Sequence, residues 1–306
     1  MKNHDVYLYG MIVRSTAFLL RGAYPQANMY GEIKEKHSFP GGETGTAGTV
    51  LASLGCKVKM DGNYTGYDTD AVIRSFYAGA GVDVSRLRLD PGYEGTEDYI
   101  IIDQHTRTIL GKFASYFEDY YQRGIIRWNT PAEEDVKGAK AAGIDPFFDR
   151  QSALAARMCR EHNVPFVTID EKPGREVCRL ASVVAVSGDY IRDFLPEYNS
   201  GEGKRRLLKE YGENTGALVI LTDGGGTVLY GRKGEIREAP AFKVDVVSTL
   251  GAGDTFKAGC IYGLLRNLND DDLVRYASAC AAVACTKFPL PLHPPEPDEV
   301  ERLFKR

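Results

Sequence analysis

Short apolar segments alternate along the chain with segments in which apolar residues recur every three or four positions. The apolar segments predict buried β-strands, and the three- and four-residue spacing predicts helices that pack one face against a sheet. The predicted strands are Val6–Val13, Val58–Gly62, Ala142–Asp145, Val164–Asp170, Val183–Val186 and Ala217–Thr222, and the predicted helices are Thr44–Leu54, Asp68–Gly79, Gln151–His162 and Gly203–Gly212. Such alternation is typical of a parallel sheet covered by helices on both faces, so the pattern predicts the α/β class.

Two parts of the chain interrupt this alternation. The residues from Thr16 to Phe39 show no clear helical spacing, and Glu97–Ile102 and Thr106–Leu110 are β-rich runs joined by the polar residues Asp103–His105. The second pair of runs predicts a β-hairpin. We expect these segments, at about 16–39 and 94–112, to leave the main sheet and to form a small β-sheet lid inserted in a single domain that spans residues 1–306.

Charge and composition exclude several classes of protein. The 306 residues include 38 basic and 42 acidic side chains, a formal net charge of −4, which excludes a generally basic nucleic-acid-binding protein. The apolar run Val6–Val13 is far shorter than the roughly 20 residues of a membrane-spanning helix, and Asp5 precedes it where a secretory signal has basic residues. The 6 cysteines are scattered without a CxxC pair, which favours buried reduced thiols. We therefore expect a cytoplasmic protein with no nucleic-acid or membrane partner.

The candidate chemistry lies in a glycine-rich loop, Gly251-Ala252-Gly253-Asp254, which opens directly into a helix that ends near Leu265. Backbone N–H groups at such a helix start lack partners within the helix and, together with the helix dipole, form a binding site for an anion. Asp254 could take a proton from a hydroxyl group while these amides hold the charge of a transferring phosphoryl group. An aspartate is also suited to cap a helix, and a Gly-Ala-Gly loop can be only a tight turn, so the residues alone leave both interpretations open.

Two segments resemble the signatures of one enzyme family. The run Thr249–Phe256 closely resembles the C-terminal signature of the ribokinase-like (PfkB) sugar kinases, and Pro40–Ala47 resembles their double-glycine motif. The two segments occur in the order and near the separation that the family shows, and the resemblance covers essentially the whole chain. It implies a ribokinase-like three-layer sandwich with a mainly parallel central sheet and a small β-sheet lid. Locally, Glu171–Pro173 and Val186–Asp189 look most like ketohexokinase among the family members.

The resemblance implies an ATP-dependent kinase that transfers the γ-phosphate of MgATP to a hydroxyl of a sugar or a sugar-like small molecule. Asp254 would be the general base, and Gly251, Ala252 and Gly253 would form the anion hole for the γ-phosphate. The implied substrate-binding residues are Gly41, Gly42, Ser15 and Thr46, and the implied nucleotide-binding residues are Thr222, Gly224, Ser187 and Thr249, with a helix around Ala279–Ala284 beside the adenine. ATP and Mg²⁺ are the implied cofactors, and a homodimer formed through the lid is the implied assembly.

Several positions depart from the family pattern. The family usually has an aspartate that binds sugar hydroxyls where this chain has Ser15, and an asparagine that closes the double-glycine motif where it has Thr46. Ser248 stands where many members have an aspartate near a monovalent-cation site, so potassium activation is not implied. The family's Asn-x-x-Glu motif near the phosphates and magnesium falls on Ser187 and Tyr190, whose side chains do not match it. The usual sugars are therefore not assumed to fit this chain.

Two pairs of charged residues have both a functional and an ordinary interpretation. Arg14 and Arg21 flank the start of the lid segment and could bind an anionic substrate, or be solvated surface residues. Asp145 and Asp170 follow short strands, where they could bind a metal or begin ordinary turns. Mg²⁺ is expected to arrive with the nucleotide and to keep mostly water and phosphate ligands, so no metal-ligating residue is assigned.

Two other functions compete with a sugar kinase. A nucleoside kinase is the alternative within the class, because the aromatic residues Phe18, Tyr24, Tyr30 and Phe39 could stack on a base or simply pack the lid. The changes at the family's polar positions also suit a catalytically weak ligand sensor built on the same scaffold. A nicotinamide oxidoreductase is excluded, because Gly10–Ser15 contains no Gly-x-Gly-x-x-Gly turn after the first strand.

Overall fold

The computed structural model describes residues 2–103 and 107–306, in which strands and helices alternate. The strands are β1 (Val6–Gly10), β2 (Val13–Leu20), β3 (Ile33–Gly41), β4 (Val58–Gly62), β5 (Thr65–Gly66), β6 (Leu89–Asp90), β7 (Glu97–Ile102), β8 (Arg107–Lys112), β9 (Ala141–Ile144), β10 (Phe166–Ile169), β11 (Val183–Val186), β12 (Leu218–Leu221), β13 (Thr227–Gly231) and β14 (Arg237–Pro240). The α-helices are α1 (Glu43–Ser53), α2 (Asp70–Ala80), α3 (Ala114–Arg123), α4 (Glu133–Lys137), α5 (Asp149–Glu161), α6 (Glu176–Leu180), α7 (Gly188–Phe194), α8 (Gly201–Asn214), α9 (Ala252–Leu265), α10 (Asp270–Cys285) and α11 (Pro297–Phe304).

The large sheet has eight strands in the order β14-β13-β12-β11-β10-β9-β1-β4. Its strands are parallel from β12 to β4, and β13 and β14 are antiparallel additions at one edge. Successive side chains of β1 point to opposite faces, so Val6 and Leu8 belong to one hydrophobic core and Tyr7 and Tyr9 to the other. Helices α1, α2, α9, α10 and α11 cover the first core, and α3 to α8 cover the second. This three-layer arrangement confirms the predicted fold class.

The first predicted strand, Val6–Val13, is wrong as a single element. β1 ends at Gly10, and Val13 already belongs to β2. Between them, side chains capture the backbone groups that would continue the ladder. The Ile12 N–H donates to Asn63 Oδ1 over 2.7 Å, and the Asn63 amide donates back to the Ile12 carbonyl over 2.8 Å. The chain therefore leaves the large sheet three residues earlier than its apolar pattern indicates.

The two segments that interrupt the alternation meet in a second, four-stranded sheet of order β3-β2-β7-β8. Its β7–β8 hairpin matches the predicted one, with β8 found at Arg107–Lys112; Thr106 and most of the predicted turn, residues 104–105, lie outside the described residues. Residues paired directly across strands share a face, and we call the face with Ser15, Ala17, Asp98 and Ile100 the inner face. Ala17 and Ile100 pack there in a small cluster that includes Leu250 and Phe288 of the main body. The inner face therefore turns toward the start of α9.

Three further expectations can be compared with the described residues. All 6 cysteines are free thiols, four of them buried, as expected from their scattered positions. Among the described residues, no helix is both long and apolar enough to cross a membrane. The late helix expected around Ala279–Ala284 is the end of the longer α10.

Candidate active site

The carboxyl ends of four neighbouring parallel strands bring polar residues to one edge of the large sheet. Asp145 follows β9, Asp170 follows β10, Ser187 follows β11 and Thr222 follows β12. The amino ends of α1 and α9 lie at the same edge, since Thr46 of α1 is in contact distance of Gly251 before α9. Ligands of open α/β sheets bind in the crevice outside the carboxyl ends of the strands, which makes this edge the candidate site.

The loop before α9 has the geometry of an anion-binding turn. Gly251 has a positive φ of 73°, a conformation that favours glycine, and the Thr255 N–H donates to its carbonyl over 2.9 Å. A side chain at Gly253 would meet no protein atom within 4 Å. The N–H groups of Gly253 and Asp254 belong to the first helical turn, where acceptors within the helix are lacking. The loop therefore presents backbone donors to an open space.

Asp254 lies in this first turn of α9 and is half-buried. Burial raises its pKa to about 6, and the negative charge of Asp145 adds to the increase. The Lys257 ammonium and a hydrogen bond from Thr46 act in the opposite direction. The resulting carboxyl group changes its protonation state close to neutral pH, which suits a group that accepts a proton from a hydroxyl.

Behind Asp254, Lys257 forms a fully buried ion pair with Asp145 Oδ1. The other oxygen, Oδ2, accepts a hydrogen bond from the Thr44 hydroxyl over 2.8 Å and a longer one from the Met11 N–H over 3.3 Å. Asp145 is therefore neither a metal ligand nor a simple turn residue. No group of three or more His, Cys, Asp or Glu side chains within residues 2–103 and 107–306 is placed to hold a metal ion.

Glu43 adds a further carboxyl group at the start of α1. The N-cap of α1 is Gly42, whose φ of 79° favours glycine. A Cβ added at Gly42 would lie 2.6 Å from the Met11 carbonyl oxygen. Burial raises the pKa of Glu43 to about 8, with repulsion from Asp254 and Asp145 as the next causes. Glu43 and Asp254 therefore titrate as an interacting pair.

The smaller sheet contributes Ser15 and Asp98 to the other side of the site. A Cβ at Gly41 would lie 2.1 Å from Ser15 Oγ, so only glycine allows this approach beside the start of α1. Asp98 pairs in register with Ser15 and is 9% exposed. Burial raises the pKa of Asp98 to about 6 despite a hydrogen bond from Ser15.

Arg14 is oriented away from this site. It lies on the face of the smaller sheet opposite to Ser15, where its guanidinium pairs with Glu97 and donates to the Asp68 carbonyl over 2.9 Å. Both contacts occupy the side chain on that outer face. The geometry therefore disfavours the anionic-substrate role expected for Arg14.

Of the predicted nucleotide-binding residues, Ser187 has hydrogen-bond partners within the protein, whereas Thr222 and Gly224 lie in a turn that borders open space. Ser187 donates its N–H and its hydroxyl to Asp170 over 2.7 and 3.0 Å, and accepts the Tyr190 N–H over 3.0 Å. Its side chain therefore already has local partners. Thr222 and Gly224 begin the β12–β13 hairpin turn, in which Gly224 has a φ of 55° and a Cβ would meet nothing within 4 Å. This turn leaves an open surface beside the loop that precedes α7.

Thr249, just before the anion loop, is contacted from the smaller sheet. Arg107 of β8 donates to the Thr249 hydroxyl and lies 3.8 Å from the Asp189 carboxylate. Arg107 is paired opposite Ile102, so it belongs to the inner face. The smaller sheet thus places a guanidinium group directly beside the start of α9.

Four of these site residues were not found from the sequence: Glu43, Asp98, Arg107 and Lys257. For Lys257 a signal exists, because it and Asp254 are the only charged residues in the otherwise apolar helix Ala252–Leu265. For Asp98, the signal is a carboxylate in the β-rich run Glu97–Ile102. Neither signal names a partner, since the partners come from distant parts of the chain.

The chain is similar in sequence to known proteins. The pattern of the pfkB family carbohydrate kinase matches residues 20–290. The chain is 24% identical over 267 residues to the 5-dehydro-2-deoxygluconokinase of Bacillus velezensis, covering 81% of this chain and 80% of the relative. It is also 24% identical over 270 residues to the ATP-dependent ribose-1-phosphate kinase of Halopiger xanaduensis, covering 85% and 84%.

Solved structures share the fold. Arabidopsis thaliana ribokinase, solved with ribose and ATP, superimposes with a TM-score of 0.79 at 14% identity and covers 99% of each chain. Methanocaldococcus jannaschii nucleoside kinase gives a TM-score of 0.76 at 14% identity, covering 100% of this chain and 98% of its own. The narrower resemblance to ketohexokinase stays a prediction. With the family pattern spanning most of its length, this chain belongs to the pfkB family of carbohydrate kinases and is a phosphotransferase that acts on a sugar hydroxyl.

Proposed function

We propose that the chain transfers the γ-phosphoryl group of MgATP to a hydroxyl of a small sugar, with Asp254 as the general base. The observation that carries this proposal is the position of Asp254 in the first turn of α9, behind a loop whose Gly253 faces open space. The names of the Halopiger xanaduensis relative and of the Arabidopsis thaliana structure support ATP as the phosphoryl donor.

In this mechanism, the hydroxyl oxygen of the acceptor forms a bond to the γ-phosphorus while Asp254 takes the proton of that hydroxyl. The bond between that phosphorus and the oxygen bridging to the β-phosphate breaks, and ADP leaves with the electron pair. The N–H groups of Gly251 and Gly253 would stabilise the negative charge on the transferring group, helped by the positive end of α9, whereas the Ala252 N–H already donates to the Thr249 carbonyl over 3.3 Å. The Lys257–Asp145 pair holds the environment of the base fixed.

The nucleotide would lie along the carboxyl ends of β11 and β12. Thr222 and Gly224 provide the open turn there, and Thr249 lies beside the γ-phosphate loop. Ser187 fixes the end of β11 through Asp170 and so acts on the nucleotide site through the backbone. Mg²⁺ is proposed to arrive with the nucleotide, where it would keep mostly water and phosphate ligands and neutralise phosphate charge.

The smaller sheet would act as a lid that excludes water from the transfer. Its inner face already reaches the loop before α9 through Arg107 and Thr249, which supports this role. The resemblance also implies that two chains pair through this sheet. Ile33, Ile109 and Leu110 are about half exposed on it, and light scattering after gel filtration would test the homodimer.

The two relatives differ in the acceptor that their names give: that of Halopiger xanaduensis is a sugar phosphate, and that of Bacillus velezensis is not. We therefore assign neither acceptor to this chain. A nucleoside acceptor is not favoured by the aromatic residues. Phe18 lies on the outer face of the smaller sheet, and Tyr24 and Tyr30 are exposed, so no stacking cluster forms around Phe39. A sugar remains the proposed acceptor class.

The test is consumption of MgATP against sugars, sugar acids, polyols and nucleosides, with the wild type and Asp254→Asn side by side. Activity with a sugar that disappears in the variant supports both the reaction and the base. Binding of sugars detected by thermal shift, without turnover of any of them, would replace the kinase with the ligand sensor. Preferred turnover of nucleosides would move the acceptor to that class.

A further inference from the structure

Resting on the proposed function, we infer that the acceptor is a neutral or cationic polyhydroxylated molecule, and that Asp98 selects it by accepting hydrogen bonds from its hydroxyl groups. Asp98 lies in the middle of the smaller sheet, opposite Ser15 of β2 and Gly111 of β8. Its side chain is on the inner face, on the same side as Ser15. Ser15 in turn touches Gly41, immediately before the start of α1.

The hydrogen bonding of Asp98 is incomplete in the protein itself. Its Oδ1 is closed off from solvent and has no hydrogen-bond partner among the described residues. A buried acceptor without a donor is costly, and such groups are rare in folded proteins. Because the atom lies beside the candidate acceptor site, a hydroxyl or ammonium donor from a ligand would complete its hydrogen bonding.

The adjacent residue gives an internal comparison. Glu97 precedes Asp98 in β7 and points to the outer face, where its carboxylate pairs with both Arg14 and Lys112. Of two consecutive carboxylates in one strand, the outer one is fully paired and the inner one is not. The fold therefore supplies partners for Glu97 in this strand. Asp98, which faces the site, keeps an oxygen that a bound molecule can pair with.

Packing gives no reason for a carboxylate at this place. The inner-face neighbours farther along the sheet, Ala17 and Ile100, are buried apolar residues that pack with Phe39. An apolar side chain at position 98 would continue that cluster without the energetic cost of burying a charged group. A binding role accounts for the aspartate, and continuation of the core does not.

The charges around the acceptor end point to the class of molecule. Asp254 is a further carboxylate there, and Glu43 in the first turn of α1 adds a carboxyl group that ionises only at higher pH, because burial raises its pKa to about 8. The nearest cations are already engaged, Lys257 with Asp145 and Arg14 with Glu97 on the other face. A carboxylate or phosphate on the acceptor would meet like charge, and neither Lys257 nor Arg14 is free to balance it.

The positive groups lie at the opposite end of the inner face. Arg107 contacts Thr249 beside the γ-phosphate loop, at the far end of β8 from Gly111, the residue opposite Asp98. The site is thus divided into a cationic end for the phosphates and a carboxylate end for the acceptor. Hydroxyl groups and ammonium groups are hydrogen-bond donors suited to the second end.

The experiment compares acceptors that share a carbon skeleton and differ in one group. Wild-type kcat/KM is measured for glucose, glucuronate and glucosamine, and for galactose, galacturonate and galactosamine. The neutral or amino member is expected to exceed its sugar acid by about tenfold or more in each set that is turned over. This comparison needs no variant.

Asp98→Asn then tests the residue, with Glu97→Gln as the matched control on the same strand. Asp98→Asn is expected to raise KM for the neutral acceptor by about tenfold or more, with little change in KM for ATP, and to reduce the preference over the sugar acid. Glu97→Gln should leave that preference unchanged. Melting temperatures of both variants separate an effect on selectivity from loss of folding.

The outcomes distinguish this inference from the function on which it rests. Preferred turnover of the sugar acids would overturn the inference and leave the sugar kinase intact. An Asp98→Asn variant that folds and keeps the wild-type selectivity would show that Asp98 is structural. Absence of turnover across all the acceptors would overturn the proposed function, and this inference with it.

Discussion

Lys257 and Asp145 form an ion pair that solvent does not reach, and the candidate base Asp254 lies one helical turn before Lys257 in α9. Burying two charges is costly, and such a pair is retained in a favourable state only when further hydrogen bonds satisfy it. Here Thr44 and Met11 supply those bonds to Asp145. The pair therefore links β9, α1 and α9 directly behind Asp254.

Replacing Lys257 by methionine leaves Asp145 as a buried charge without its partner. We expect Lys257→Met to lower the free energy of unfolding by about 3–5 kcal/mol, measured by urea denaturation. The double variant Lys257→Met/Asp145→Asn should recover much of this loss, because it removes both charges. A double variant no more stable than Lys257→Met would contradict the role of the pair.

The same substitution predicts a shift in the pH dependence. The Lys257 ammonium lowers the pKa of Asp254, which burial raises to about 6. Without this cation the pKa of Asp254 rises further, so the acidic limb of kcat/KM should move to higher pH. The measurement is a pH profile of the initial rate, compared with Lys140→Met, which removes an exposed ammonium group that pairs with Asp5 before β1.

Asp254→Asn should lower kcat by at least about a hundredfold, because the variant cannot accept the proton of the acceptor hydroxyl. Affinity for the nucleotide should be largely kept, as measured by calorimetric titration with MgATP. A variant that retains wild-type turnover would show that Asp254 is not the general base.

Glu43→Gln should change the opposite limb of the pH profile. Burial and repulsion from Asp254 and Asp145 raise the pKa of Glu43 to about 8, so the group is protonated when Asp254 loses its proton and ionises only at higher pH. Ionised Glu43 adds negative charge where the phosphoryl group must be held, and the rate should fall above that pH. The variant has no such proton to lose, so this alkaline limb should disappear while the acidic limb stays.

Gly253→Val tests whether the loop before α9 holds a phosphoryl group. A Cβ at Gly253 meets no protein atom within 4 Å, so the variant should fold with an unchanged melting temperature. The side chain would nevertheless enter the space of the anion, and kcat/KM for ATP should fall by about tenfold or more. Gly216→Val is the control, since its Cβ is equally free and lies at the start of β12, at the other edge of the sheet. Equal kinetics in the two variants would mean that the loop is only a turn.

Arg107→Ala tests the contact between the smaller sheet and the loop before α9. Its guanidinium touches the Thr249 hydroxyl, and its loss should lower kcat by about tenfold or more by removing a cation beside the transferring group. Arg192→Ala is the matched control, because Arg192 also pairs with Asp189 but belongs to the surface of α7. If both variants lower kcat equally, the effect comes from the lost ion pair with Asp189 and not from the contact of Arg107 with Thr249.

Sequence reasoning predicted the parts of the fold that depend on local pattern. Val58–Gly62 and Val183–Val186 are strands within the residues expected, since each is a short apolar run in a sheet covered on both faces. The pattern failed at Val6–Val13, where apolar residues continue after the strand has ended. The strand ends because Asn63, far along the chain, takes the backbone bonds of Ile12.

In the candidate site too, the sequence predicted the residues that lie in one local segment and missed those that depend on distant partners. Asp254 and the Gly251–Gly253 loop were predicted because consecutive residues form them. Asp98 was not, because its meaning depends on a strand pairing with Ser15 that no local pattern encodes. Lys257 and Arg107 likewise have partners from other elements.

Gly10, the last residue of β1, sets how much this centre can move. A single carbon there would lie 1.9 Å from Asp145 Oδ2 and 2.5 Å from the Thr44 hydroxyl oxygen. With three chain segments meeting so closely, the Asp145 carboxylate has little space in which to rotate. The field around Asp254 is therefore set when the chain folds, and the enzyme has little reorganisation energy to supply when the acceptor arrives.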